Sequence, residues 1–396
     1  MPDSNREMTS NDFVRHSILN CQQKFAPMKL LHVVGARPNF MKIAPIMRCI
    51  SEQGRHDQIL VHTGQHFDRQ MSDVFFTDLE IPDPDVHLQV AGGTHAQQTA
   101  RIMLGLEPVV DEQKPDWVVV VGDVNSTLAA ALVASKMNIP IAHVEAGLRS
   151  GDMSMPEEVN RRITDAVSDL LLIPSLDART NLLREGVNDD RIVFVGNVMI
   201  DSLARMLPRT ETNPVLRELD LVAGQYILVT LHRPSNVDSP DTLRQILSGL
   251  ADLDIRHPIV FPVHPRTRAQ LEREGMLDHF PRLRLIEPLG YIDFLTVMQS
   301  ATVVLTDSGG VQEETTYLGV PCLTARPNTE RPVTISEGTN RLVASTREGV
   351  RSAVEYALHE TRRSCRPPDL WDGHAAERIV DALEVRNQKQ SRSGWT

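Results

Sequence analysis

Short unbroken apolar runs alternate with longer amphipathic stretches along this chain, and the alternation occurs twice. The first set is KLLHVVG (29–35), QILVHTG (58–64), WVVVVGD (117–123), PIAHVEA (140–146), LLLIPS (170–175) and RIVFVG (191–196). The second is YILVTLHR (226–233), PIVFPVH (258–264), LRLIEP (283–288), TVVLTDS (302–308), PCLTA (321–325) and NRLVAS (340–345). A strand apolar at consecutive positions is covered on both faces. Strands separated by helical segments such as STLAAALVASKMN (126–138) and EEVNRRITDAVSDL (157–170) pair in parallel. The pattern therefore predicts an α/β protein with two doubly wound parallel sheets in tandem.

Between the two sets, PRTETNPVLRELDLVAGQ (208–225) breaks the rhythm with prolines and charges and reads as a linker. That places one domain at 29–207 and another at 226–372, each of a size for its own core. Residues 1–28 are polar and patternless and read as a flexible tail without the apolar core of a signal peptide. At the other end, a helix from 374 to about 388, within a terminal segment 373–396, is placed to pack back across either domain. Asp and Glu number 52 against 41 Lys and Arg, a net charge of −11, which argues against a nucleic-acid or anionic-membrane partner. No apolar run reaches the ~18 residues needed to span a bilayer. Cys21, Cys49, Cys322 and Cys365 form no CxxC pair and read as free thiols of a cytoplasmic protein.

Ligands of doubly wound sheets bind beyond the carboxyl ends of the strands. Two such sheets facing one another enclose one cleft, and the polar residues collect there. The first strand ends in GARPNFMK, which offers Arg37 and Lys42 as cationic donors; an ordinary strand–helix turn with a surface arginine is the bland alternative. The glycine spacing is not that of a dinucleotide fingerprint. Strand WVVVVGD delivers Asp123, as a helix cap or as an acid–base group. Strand PIAHVEAGLR delivers Glu145 and Arg149, and a carboxylate inside an apolar strand is costly unless it is partnered. Two carboxylates at neighbouring strand ends suit acid–base chemistry, because unlike surroundings push their pKa values apart. Glu157 opens the next helix, where the helix dipole also favours it.

His143 and Glu145 stand two apart at the end of one strand and are not expected to share a metal site. His62 and His66 are separated by Gly64, which suggests a turn. No metal-ligand spacing is present, and no metal is assigned.

In the second half, LHRP brings His232 and Arg233 to a strand end, and VHPR brings His264 and Arg266. The stretch TDSGGVQEETTYLGVP then sets Ser308, Gly309 and Gly310 at the start of a helix. Backbone N–H groups and the positive helix end favour a phosphate at such a place. Glu313 and Glu314 follow, about 100° apart on the helix, so only one can face a ligand squarely. A carboxylate one turn beyond a phosphate can accept hydrogen bonds from ribose hydroxyls. The ligand implied is a nucleotide with a diphosphate. Arg326, Glu330 and Arg331 lie in a proline-rich loop at the rim, suited to gripping phosphate or closing over a sugar.

Taken in order, GARPNFMKIAP, TGQH, GDVNST, HVEAGLRSGD, MPEEVNR, LHRPSN, DSGGVQEE and NTERPV resemble the non-hydrolysing UDP-N-acetylglucosamine 2-epimerases. The matches run from Gly35 to about Val343. The resemblance implies two Rossmann-like domains facing a central cleft, a GT-B-like fold. It implies reversible inversion at C2 of UDP-GlcNAc, giving UDP-ManNAc by elimination and re-addition of UDP through a 2-acetamidoglucal. Position by position, it implies Asp123, Glu145 and Glu157 as acid–base carboxylates and His232 as a catalytic histidine near the diphosphate. It also implies Arg37, Lys42 and Arg331 as cleft cations, Ser308, Gly309 and Gly310 as phosphate binders, and Glu314 as the ribose binder. Arg149 and His264 join the expected substrate contacts from the strand-end reading. The implied partner is a UDP-sugar, with no cofactor and with a homodimer as the assembly.

Two segments depart from the family pattern. Many members read HRRE where this chain has LHRPSN, and TGQHFDRQMSDVFF is longer than the usual TGQHREM form. Both look more like the branch that acts on UDP-2,3-diacetamido uronic acids. The alternatives are such a modified sugar nucleotide, a glycosyltransferase of the same architecture, a hydrolysing epimerase, and a non-catalytic sugar-nucleotide sensor.

Overall fold

The computed structural model describes residues 25–65, 80–253, 257–263, 265–276, 280, 282–359 and 366–393, with only the backbone given for Arg37, Pro265, Arg266 and 390–393. Among these residues two parallel sheets form. The first contains β1 (Lys29–Val34), β2 (Asp57–His62), β3 (Val86–His87), β4 (Trp117–Val121), β5 (Ile141–Val144), β6 (Leu170–Ile173) and β7 (Ile192–Phe194). Its order is β3-β2-β1-β4-β5-β6-β7. The second contains β8 (Ile227–Thr230), β9 (Ile259–Pro262), β10 (Leu283–Ile286), β11 (Val303–Thr306), β12 (Cys322–Thr324) and β13 (Asn340–Leu342), in the order β10-β9-β8-β11-β12-β13. Every pairing is parallel, as in Val33 opposite Val120 and Thr306 opposite Thr230.

The apolar runs become strands because helices cover both faces. β4 reads WVVVV and β6 reads LLLI, and every residue in both is buried. The helices take their places from local chemistry. Helix His95–Gln113 starts at Thr94, whose hydroxyl accepts from Gln97 N while Gln97 reaches back to Thr94, a reciprocal cap. Helix Pro156–Val167 stops three residues short of the apolar run that opens at Leu170, which goes to β6. Two-residue β3 carries too little periodicity to be read from sequence.

Both sheets reverse direction once. The chain builds outward from β1 to β3, returns to the far side of β1 at β4, and repeats the move between β8 and β11. A crevice opens at such a switch point, because the two flanking connections leave on opposite faces. The turns and loops after β1, β4, β5, β8, β11 and β12 carry the site described below.

Helix Val198–Thr210 runs through Pro208, and a short helix Val215–Glu218 follows. The terminal helix Ala375–Ser393 packs back on the first half, against helices Arg37–Gln53 and Val198–Thr210. Asp201 accepts from Ala375 N and Ala376 N at 3.1 and 2.7 Å and so caps its start. Trp371, just before it, is 2% exposed and donates from Nε1 to Pro174 O at 3.0 Å. Near the far end, the buried Glu384 carboxylate lies 2.9 Å from His56 Nε2 and 3.0 Å from Arg55 Nη2. No described helix is long and apolar enough to cross a membrane.

Candidate active site

The site is assembled at the carboxyl ends of the strands beside the two switch points. Glu145 immediately follows β5 and is 7% exposed. Its φ is +70°, and among the described non-glycine residues at positive φ it alone is buried. Such a backbone costs roughly 1–3 kcal/mol and persists only where its surroundings over-determine it. Here its N–H donates to Leu172 O, and its carboxylate is held on both sides. Oε2 pairs with Lys42 Nζ, and Oε1 receives Arg331 Nη2 at 2.6 Å. Burial alone would raise the Glu145 pKa, but Lys42 and Arg331 outweigh it and hold the group below the ordinary glutamate value.

Lys42 comes from helix Arg37–Gln53 after β1. Arg331 comes from the loop after β12, so the Arg331–Glu145 pair joins the two halves of the chain. The same guanidinium also meets Glu313, with Nε 2.8 Å from Oε1, and Glu330 through Nη1. Glu330 in turn binds Arg326 at 2.7 Å. Burial pushes Glu330 up, but Arg331 and Arg326 more than reverse it and leave the carboxyl far below its ordinary value.

Asp123 follows β4 and is the more open carboxylate, 27% exposed at its side chain. Its Oδ2 pairs with Arg161 Nη1, and Arg161 is fixed from behind by Glu158 at 2.8 Å. Glu158 also accepts from Ser150 N, Ser150 Oγ and Gly151 N, tying the loop after β5 to helix Pro156–Val167. Glu157, one residue earlier, is half-buried, and its charge acts on Arg233 of the second half.

Opposite stands the helix Gly309–Leu318 after β11. Its N-cap, Ser308, makes no side-chain capping bond, so its hydroxyl and the first N–H groups suit an anion. Glycine is needed at 309 for space: a Cβ there would lie 2.6 Å from Arg331 Nη1 and 2.9 Å from Glu330 Oε1. Beside this turn, buried Asp307 accepts from His232 N, Arg233 N and Asn236 Nδ2, each at 3.0 Å. Its Oδ1 also holds His232 Nδ1 at 2.8 Å, while the rest of the imidazole side chain is 59% exposed. One turn along, Glu314 accepts from Tyr291 OH at 2.9 Å. Glu313 and Glu314 thus diverge, one to Arg331 and the other to Tyr291.

Lys42, Asp123, Glu145, Glu157, His232, Ser308, Gly309, Gly310, Glu314 and Arg331 all lie at these strand ends and the turns and helices beside them. Arg149 is engaged elsewhere. Its Nη1 lies 2.7 Å from Asp165 Oδ2 and its Nη2 2.6 Å from Glu185 Oε2. Asp165 also binds His143 Nδ1 at 2.6 Å, so Arg149 is tied into the network around His143. His264 lies outside the described residues, as does the side chain of Arg37. His66 of the TGQH motif is outside them too.

Sequence reasoning passed over Arg161 and Asp307. Asp307 sits at the end of an apolar strand, the same signal that marked Glu145. Arg161 had only helical spacing from Glu157 and Glu158 to commend it, a spacing common on solvated helices.

Residues 48–384 match the sequence family described as UDP-N-acetylglucosamine 2-epimerase. A UDP-N-acetylglucosamine 2-epimerase of Methanocaldococcus jannaschii is 42% identical over 364 residues, covering 90% of this chain and 99% of that protein. A UDP-2,3-diacetamido-2,3-dideoxy-D-glucuronate 2-epimerase of Pseudomonas aeruginosa is 45% identical over 362 residues, with the same two coverages. The crystal structure of the Methanocaldococcus jannaschii enzyme in complex with UDP-GlcNAc and UDP superposes with a TM-score of 0.83, over 90% of this chain and 100% of that one. The architecture is therefore GT-B-like.

Proposed function

We propose, from the premise that this chain belongs to the UDP-N-acetylglucosamine 2-epimerase family, that it inverts C2 of a UDP-linked 2-acetamido sugar, interconverting UDP-GlcNAc and UDP-ManNAc. The observation that carries this reading is the Arg331–Glu145 pair. It sets a carboxylate of the first sheet directly against a cation packed on the diphosphate-type turn of the second. An acid–base group and the grip on a leaving group then meet at one place, which elimination across C1–C2 requires.

In this mechanism the C2 proton passes to a carboxylate as the C1–O bond breaks, and the electron pair of that bond leaves with UDP. A 2-acetamidoglucal remains. A proton delivered to the other face of C2, with re-formation of the C1–O bond, completes the inversion. The C2 proton is weakly acidic, so stabilising the departing diphosphate is the larger part of the task. Ser308, Gly309, Gly310 and His232 serve that end, and Glu314 takes the ribose. Asp123, Glu145 and Glu157 serve the proton transfers. Lys42 and Arg331 keep Glu145 ionised, in the state of a base, while Asp123 is more open to solvent.

A second reading, a modified substrate such as a UDP-2,3-diacetamido uronic acid, is favoured by the 45% identity to the Pseudomonas aeruginosa protein. Incubation in deuterated water with each nucleotide sugar, followed by proton spectra, separates the two. The expected result with UDP-GlcNAc is UDP-ManNAc carrying deuterium at C2, with little free UDP. Turnover of the uronate alone moves the assignment to the second reading. Free sugar with UDP indicates hydrolysis, and no exchange with either rejects the epimerase reading. Asp123→Asn and Glu145→Gln each abolish exchange while leaving UDP binding; unchanged exchange removes that residue from the proton path.

A further inference from the structure

The mechanism leaves Glu313 without a part, although it lies at the centre of the charge cluster. It is 1% exposed, on the first turns of helix Gly309–Leu318. Oε1 holds Arg331 Nε at 2.8 Å, while Oε2 is buried with no hydrogen-bond partner. The charged groups acting on it are Arg331, Glu145 and Lys42, with Glu330 on the far side of the same guanidinium.

The other elements packed on this helix direct their charges elsewhere. Asp201 caps the terminal helix, Arg205 pairs with Glu80, and Arg209 reaches Met206 Sδ. Tyr291 goes to Glu314, Asp293 to Asn213, and Arg341 stacks on Tyr356. Cys322 faces Thr324.

Within the cluster, Lys42, Arg326 and Arg331 balance Glu145, Glu313 and Glu330. A diphosphate at Ser308–Gly310 upsets that balance, because a Cβ at Gly309 would already touch Arg331. Negative charge arriving within a few ångströms of a carboxylate that is itself shielded from water is a large perturbation. The cheapest relief is protonation of the carboxylate that has a bare, solvent-excluded oxygen, since an unpaired buried charge is costlier than a neutral carboxyl.

We propose that Glu313 takes up a proton from solvent when the diphosphate of the nucleotide sugar docks at Ser308–Gly310. Neutral Glu313 loosens its hold on Arg331 Nε and leaves that guanidinium shared between Glu145 and the phosphate. The proposal rests on the nucleotide-sugar reading above. Burial already lifts Glu313 to about 7, against the opposing pull of Arg331. At neutral pH the free enzyme thus has a vacancy for a fraction of a proton, which the ligand fills.

The test is calorimetric titration with UDP-GlcNAc in two buffers of equal pH and different ionisation enthalpy. The diphosphate diester itself has no proton to exchange near neutral pH, and C2 inversion consumes none. The expected uptake is about half a proton per site near pH 7, falling toward zero below about pH 5.5, where Glu313 is protonated beforehand. Glu313→Gln abolishes the uptake and binds at least as tightly, having one fewer negative charge beside the phosphate. His232→Gln retains the uptake. Binding heat with no buffer dependence in the wild type overturns the proposal and leaves the nucleotide-sugar reading standing. Uptake that persists in Glu313→Gln, or vanishes only in His232→Gln, overturns it as well. No binding heat at all rejects the nucleotide-sugar reading, and the proposal falls with it.

Discussion

Replacing Lys42 by methionine removes one of the two cations that hold Glu145 while keeping most of the side-chain volume. Lys42 is 5% exposed and its ammonium contacts Glu145 Oε2 directly. Removing one partner of a buried pair costs about 3–5 kcal/mol, because the other charge remains buried. Arg331 still holds Oε1 at 2.6 Å, so the lower end, about 3 kcal/mol, applies. The assay is urea unfolding of Lys42→Met, Glu145→Gln and the double variant. The pair should couple by about 2–3 kcal/mol, the double variant losing much less than the two singles together.

The pH dependence gives a second check. Glu145 lies below its ordinary value of 4.5 in the folded wild type, so its contribution is present above pH 4.5 and is lost as pH falls through its depressed folded value. Without Lys42 burial is less fully opposed and the folded value rises, so the deficit of the variant shrinks as pH falls through the carboxylate range. Additivity within about 0.5 kcal/mol, or a deficit that ignores pH, would refute the picture of Lys42 and Glu145 as one electrostatic unit.

Substitutions at two further positions probe how the terminal segment is locked to the first half. Gly196→Ala places a Cβ 2.1 Å from Leu370 O at a φ of +85°, so it should cost about 3–5 kcal/mol, read by the unfolding midpoint. Trp371→Ala should cost about 3–5 kcal/mol through the cavity it leaves beside Ile200 and Val333. Trp371→Phe should cost less, about 1–3 kcal/mol, chiefly from the lost bond to Pro174 O. Equal costs for the two Trp371 variants would refute that division.

The class of fold was legible because its signal is local and repeated. An apolar run such as WVVVV can be stable only when covered on both faces, and each such run found a place in one of the two sheets. The strand ends were legible for the same reason. A carboxylate closing an apolar strand, as at Glu145, needs an opposite charge, and glycines opening a helix, as at Gly309, suit an anion.

The pairings were not legible, because they join residues far apart in the chain. Nothing near Glu145 in sequence names Arg331, which lies 186 positions away and reaches it only through the facing of two sheets. Arg149 shows the converse. It stands four residues from Glu145 and yet turns to Asp165 and Glu185, because the chain turns at 145–147, just after β5. The sequence by itself determined which groups stand at the strand ends and that each needed a partner. Tertiary structure alone decided which partner each received, since ion pairs act through space at a few ångströms and chain order does not encode that distance.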